Sequence, residues 1–454
     1  MTAGFLQSRW LQLLLFGITC AAMAAAPLFN HFRSSKPSPW PLFSETAVIR
    51  DLPGDATKNK DYPLWYFVGR TVVEDGTLRE RTGQDWPLYP TEPGDVFPFM
   101  YPPFAALILG TLSLLGPTGM ILALIGLNVL SFALVIELMV RQIGGKGASS
   151  IWVRIIPTLY CLFFLNDMFL LGQPNLGLMV LILGGLMLDR AGRGGIAGML
   201  FALAAAIKAF PIIIAVYLLY RFRWKAFISM LVGLVFFLLI VPGLVRGFER
   251  NNAELKTWAG GMLKQDEHGF GQRQQQSVGW RNQSLFAVAG RLIGEGDAKA
   301  EEFPTKPEEM LIVSLFHADS KTARYAGYIG CAVLGLAFAL CLPKRSIRTP
   351  TTDSAEFGSL LILMTIGTPY AFTYYFVWLL FPIGVLVHRA LEPGVGQRFA
   401  LGLLVGIGVL FLIGAPVFGN YFPLACGSLF WASMPALIGC FWILRTKRIP
   451  PEIG

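Results

Sequence analysis

The chain is 454 residues long, 54% hydrophobic and only 14% charged, with a formal net charge of +9. Soluble domains carry about a quarter charged residues, so a mean hydropathy of +0.57, with 35 Phe, 13 Tyr and 11 Trp beside 49 Gly and 29 Pro, excludes a soluble enzyme, a disordered chain and a fibrous repeat. The fold class is an all-α polytopic membrane protein. The positive charge does not signal nucleic acid, because Lys and Arg fall in short clusters between apolar runs, the pattern of cytoplasmic loops.

In chain order, the first apolar run covers 10–29 and follows Arg9. It reads as a retained first helix with the N-terminus inside; a signal peptide ending near Ala22–Ala26 is the alternative. A polar stretch rich in Pro, Trp and acids follows and is expected outside. Further spans are expected near 118–140, 150–171, 174–189, 194–207, 209–220, 225–245, 324–342, 355–367, 370–388, 399–418 and 424–444. Basic clusters at Arg141/Lys146, Arg190/Arg193, Arg221/Arg223/Lys225, Lys344/Arg345/Arg348, Arg389/Arg398 and Arg445/Lys447/Arg448 all belong inside under the positive-inside bias.

That bias divides two long runs. Residues 194–220 have basic clusters at both ends, so they are expected as two short helices turning near Lys208-Ala209-Phe210-Pro211, with Pro211 supplying the break. Residues 355–388 divide in the same way at Gly367-Thr368-Pro369. The run Pro102–Gly116 would invert the downstream topology if it crossed, so it is expected as a juxtamembrane helix. The count becomes about twelve spans in one domain covering 1–454, with both termini inside and two large external loops, 30–117 and 246–323.

Six cysteines lie inside apolar runs without a Cys-x-x-Cys pair, and four histidines make no metal-ligand spacing. No metal and no cofactor is expected. The unusual polar residues fall at the outer ends of spans or in outer loops: Asp61, Tyr101, Asp167, Gln173, Asn175, Lys208, Arg281, Asn282, Gln283 and the stretch Thr368–Tyr375. Polar groups at membrane depth are costly and by default mark function. Their shared side suggests one outward-facing cavity.

Four strings in order, Tyr101-Pro-Pro, Gly172-Gln173-Pro174-Asn175, Ala-Ala-Ile-Lys208-Ala-Phe-Pro211 and Asn282-Gln283-Ser284-Leu285, resemble the DUF2029 group. These are the glycosyltransferase family 87 enzymes, related to the polyprenyl-phosphate-mannose-dependent mannosyltransferases of the GT-C superfamily. The resemblance implies a GT-C-type bundle in a bacterial plasma membrane. It also implies an inverting transfer of a hexose, mannose being the expected one, from a polyprenyl-phosphate carrier to a lipid or glycan acceptor outside the cytoplasm; the first outer loop carries no Asp-x-Asp signature, so no metal is expected. In that family an acid of the first external loop is the catalytic base, a position matched here by Asp61 in Asp61-Tyr62-Pro-Leu-Trp65-Tyr66, ahead of Leu88-Tyr89.

A positioned carboxylate suits that task, because an acceptor hydroxyl is a poor nucleophile until its proton is taken. Asp61 as a mere helix cap is the plain alternative, and Asp51 and Asp55 are weaker rivals in a turn. Lys208 is expected to hold the donor phosphate, with Arg281 as a second cation on it; a snorkelling lysine and a solvated loop arginine are the alternatives. Gln173 and Asn175 either cap the next helix or bind sugar hydroxyls or phosphate. Asp167 is a candidate acceptor-site acid or an ordinary interfacial one. Where relatives often carry paired histidines near the tenth span, this chain has Tyr374 and Tyr375; phenols hydrogen-bond but do not shuttle protons near neutral pH. A transporter or flippase of lipid-linked sugars, and an assembly partner without chemistry, are the rival functions.

Overall fold

A computed structural model describes residues 9–33, 61–74, 88–89, 99–144, 150–263, 265–266, 269–270, 277–300, 309–343, 348–394, 396–414 and 421–446. Asp51 and Asp55 lie outside the described residues. Among the described residues, regular structure is helical apart from one two-residue antiparallel pair, Gln265–Asp266 with Gly269–Phe270, and an isolated parallel bridge between Gly294 and Ala318. In order the helices are α1 Arg9–Arg33, α2 Asp61–Val73, α3 Pro103–Ser113, α4 Gly116–Ile143, α5 Trp152–Tyr160, α6 Leu162–Leu171, α7 Asn175–Arg190, α8 Gly194–Ile207, α9 Ile214–Tyr220, α10 Trp224–Val235, α11 Val241–Arg246 and α12 Phe248–Leu263. After the antiparallel pair come α13 Leu285–Leu292, α14 Ser320–Cys341, α15 Pro350–Ile366, α16 Leu380–Leu391, α17 Gln397–Gly414, α18 Phe422–Ala425 and α19 Ser428–Thr446.

The chain forms two compact units. The first is Ser8–Leu134 with Leu165–Leu263, and the second is Val135–Phe164 with Lys264–Gly454 and Met1–Gln7. In the first, α8 packs on α10 through glycines. A Cβ on Gly198 would lie 2.6 Å from the Met230 nitrogen, and one on Gly233 would lie 2.6 Å from the Ala202 Cβ, so only glycine lets the two backbones come this close. Helix α8 ends at Ile207, Lys208 is extended at φ −150°, ψ 122°, and a 3-10 turn Phe210–Ile213 containing Pro211 leads into α9. This is the break the sequence predicts, and its cause is the proline.

In the second unit, α15 and α16 form the core. Helix α16 packs on α5 and α17, and α15 on α19; Phe357, Phe376, Trp378 and Phe381 are almost wholly buried. Between the two helices the chain leaves helical geometry after Ile366 and resumes in a 3-10 helix, Thr373–Leu379.

Among the described residues, six runs are long and apolar enough to cross a membrane: Gly116–Ile143, Trp224–Arg246, Ser320–Cys341, Thr373–Leu391, Gln397–Gly414 and Ser428–Thr446. A seventh arises if α5 and α6, bent by 64°, make one crossing. The chain is thus a helical, multi-pass membrane protein. Of the other expected segments, the first lies in α1, a helix of 25 residues, whereas α7 has 16 residues and α8 has 14. At ~1.5 Å per residue neither covers the ~30 Å of hydrocarbon unaided. The segments read as loops also hold helices, α2 and α3 in 30–117, α12 and α13 in 246–323.

Exposed residues of α14 follow one stripe: Tyr325, Ile329, Val333, Leu336 and Leu340. Such a face suits hydrocarbon rather than water. With the native cysteines replaced, a cysteine at the exposed Lys256 of α12 is expected to react with an impermeant thiol reagent in intact cells, and one at Arg141 only after permeabilisation. Labelling of position 141 in intact cells would overturn the sidedness read from the charge clusters.

Candidate functional site

In the first unit, five of the polar residues singled out from the sequence meet. Asp61 is the first residue of α2, Tyr101 sits two residues ahead of α3, Gln173 and Asn175 flank the start of α7, and Lys208 occupies the break after α8. Gln173 Nε2 donates to Asp61 Oδ2. Gln173 Oε1 accepts from the Tyr101 hydroxyl at 2.6 Å and from Lys208 Nζ at 3.2 Å. Lys208 Nζ also donates to Asn175 Oδ1 at 3.1 Å and lies 5.0 Å from the centre of the Tyr101 ring.

These contacts answer a definite cost. Lys208 is 3% exposed, and a buried ammonium is unfavourable unless its protons find acceptors and its charge finds a counter-charge. Two amide oxygens supply acceptors, the Tyr101 ring face supplies a cation–π contact, and the Asp61 charge works against the burial that disfavours the charged lysine.

The turn before α7 places Gln173. Gly172 takes φ +66° and the Gln173 N–H reaches back to the Met168 carbonyl at 3.0 Å, the pattern that closes a helix through a left-handed residue. A Cβ on Gly172 would meet the Tyr62 ring at 2.7 Å. The ring is pinned there because the Tyr62 hydroxyl donates to the Phe169 carbonyl at 2.8 Å; burial, then the neighbouring Asp61 charge, push this phenol well above the ordinary tyrosine range. Trp65 donates to the Leu171 carbonyl and stacks on Tyr101 with ring centres 5.2 Å apart. Tyr89 donates to the Tyr101 carbonyl; its phenol is raised by burial first, then by Glu254, against the opposing field of Arg246. Asp61, Lys208 and Gln173 therefore stand on an aromatic footing of Tyr62, Trp65, Tyr89 and Tyr101. Neither expected cap is made at the N-cap of α7, which is Pro174 without a side-chain bond. Asp167 is half-buried on α6 in the same unit.

The other candidates lie in the second unit. Asn282 donates to the Ser277 and Pro369 carbonyls, both at 2.8 Å, and accepts from the Ser284 and Ala371 N–H groups. Gln283 donates to the Trp280 and Leu424 carbonyls and accepts from the Leu429 N–H. Both amides are spent on backbone, so they knit 277–284 to the 369–371 segment and to the start of α19. Arg281 is exposed, with its guanidinium 5.2 Å from the Trp280 ring centre. Tyr374 and Tyr375 are buried with rings 5.2 Å apart beside Phe372.

One central residue goes unnoticed in the sequence. Arg291 is fully buried, donating through Nε to the Ala425 carbonyl and through Nη1 to those of Val278, Gly279 and Asn282. Burial lowers its ionisation to about 9, with Cys426 acting in the opposite sense, so it is still charged at neutral pH. In sequence it reads as an ordinary cation at a helix C-terminus. Among the described residues no group of three or more His, Cys, Asp or Glu is placed to hold a metal.

The profile of glycosyltransferase family 87 matches residues 99–369, well over half of the chain, and the protein belongs to this family. Membership makes it a glycosyltransferase. The match takes in Tyr101, Gln173, Asn175, Lys208 and Arg281, and leaves Asp61, Tyr374 and Tyr375 outside its bounds. No curated protein matches the chain.

Gly172→Ala is expected to destabilise the protein by about 1–3 kcal/mol, the cost of a strained backbone position, before any cost of moving Tyr62. Thermal unfolding in detergent measures it; an unchanged midpoint would contradict the pinned turn.

Proposed function

We propose that the protein transfers a hexose, with mannose the expected sugar, from a polyprenyl-phosphate carrier to a lipid or glycan acceptor on the outer side of a bacterial plasma membrane, with inversion and without a metal or cofactor. The observation that carries the site assignment is the joining of a carboxylate, Asp61, and a buried ammonium, Lys208, through one amide. Family membership supports the transfer; the lipid donor, the sugar and the inversion rest on the resemblance to polyprenyl-phosphate-dependent relatives.

The chemistry asks for those two groups. The acceptor oxygen forms its bond to the anomeric carbon from the face opposite the phosphate, and the bond from that carbon to the phosphate oxygen breaks. The hydroxyl proton goes to Asp61. The lipid phosphate leaves with the bonding electron pair, and Lys208 stabilises the charge that gathers there. A single displacement inverts the configuration.

Two variants separate the roles, assayed on purified protein with radiolabelled polyprenyl-phosphate mannose and an acceptor pool. Asp61→Asn keeps size and capping ability but removes basicity, so turnover is expected to fall by about 10²–10⁴-fold, ~3–5 kcal/mol of barrier, with donor binding kept. Activity within threefold of the unaltered protein would refute the base and turn attention to Asp167. Lys208→Ala is expected to weaken donor binding, and Lys208→Arg to restore part of it if charge outweighs shape. A folded Lys208→Ala protein with unchanged donor affinity would remove the phosphate role.

A further inference from the structure

Gln173 lies between a negative and a positive group, and its amide has a matched end for each. Its NH₂ faces the Asp61 carboxylate, and its carbonyl faces Lys208 Nζ and the Tyr101 hydroxyl. The reverse orientation would set oxygen against carboxylate and NH₂ against ammonium, so the two charges fix the amide's direction. The side chain is 2% exposed, and its backbone is held by the left-handed turn at Gly172. Little freedom is left to either end.

We propose that Gln173 is a positioning residue that links the base to the phosphate-holding cation: its NH₂ orients Asp61 and keeps it ionised, while its carbonyl, with Asn175, aims Lys208. This rests on the functional reading above and deepens it. A carboxylate that accepts a hydrogen bond in its charged form resists protonation, so the amide extends the base's working range toward acid. Other ionisable groups in this surrounding are Lys208, Tyr62 on the same helix, Tyr101 across the amide and Tyr89 behind it, Asp167 on α6, and the Arg70–Glu74 pair at the far end of α2. Of these, Lys208 acts on Asp61 in the same sense as the amide. Burial holds the Tyr62 and Tyr89 phenols above the ordinary tyrosine range, so neither adds a charge beside Asp61.

Gln173→Glu is the discriminating variant. It keeps the size and the acceptor for Tyr101 and Lys208, but replaces the donor to Asp61 by a like charge. The acid limb of the pH–rate profile for transfer from polyprenyl-phosphate mannose is expected to move up by about one pH unit or more, and the donor KM to rise because the new carboxylate competes with the donor phosphate for Lys208. Gln173→Met, which loses both ends, should move the limb upward as well and also raise the donor KM. Readout without turnover comes from carbodiimide labelling of Asp61 against pH, followed by peptide mass spectrometry, whose midpoint should shift in the same direction in both variants. A labelling midpoint and an acid limb that stay in place in both would overturn the role of Gln173. If the limb persists in Asp61→Asn, the base assignment itself is at fault, and the labelling midpoint still decides whether Gln173 acts on Asp61.

Discussion

A buried lysine dictates the shape of the first unit's site. The ammonium of Lys208 is buried at a helix break, and Gln173, Asn175 and Tyr101 reach it from turns and a helix start. Helix α8 stops one residue before it, with Pro211 preventing continuation. Gly172 turns left-handed so that Gln173 points back, Pro174 starts α7 so that Asn175 faces the same ammonium, and Tyr101 comes from the segment ahead of α3, where Pro102 and Pro103 set the entry. Interruptions of this kind are tolerated in a membrane protein only where the freed polar groups are satisfied internally. Here their positions double as an arrangement suited to a phosphate on one side of an amide and a proton acceptor on the other.

The second unit uses its polar residues differently. Asn282, Gln283 and Arg291 turn inward to backbone carbonyls and N–H groups, and bind the 277–284 segment to the non-helical stretch after α15 and to the start of α19. Buried amides saturated in this way specify a loop conformation more than they offer bonds to a ligand. Arg281, one residue away, remains exposed over Trp280.

Much of the helical framework was legible in the sequence, because hydropathy and proline act locally. The breaks at Lys208–Pro211 and Gly367–Pro369 follow from charge placement and proline chemistry alone. The number of crossings was not, since a run of 14 to 16 apolar residues such as α7 or α8 fixes a helix without fixing whether it traverses. Asp61 and Lys208 stood out as polar groups in unusual places. Gln173 read as a cap or sugar contact because its partner Asp61 lies 112 residues away, beyond any local pattern. Arg291 was invisible for a similar reason: its carbonyl partners come from Val278, Gly279, Asn282 and Ala425, and nothing in the string Leu285–Leu292 distinguishes it from a solvated charge.

The most direct measurement is an experimental structure of the purified protein with polyprenyl phosphate bound, the leaving group of the proposed reaction. The expected result is a phosphate in hydrogen-bonding contact with Lys208 Nζ, with Asp61 still held by Gln173. A phosphate seated elsewhere, while Lys208 keeps its bonds to Gln173 and Asn175, would contradict the assignment of this group as the donor site.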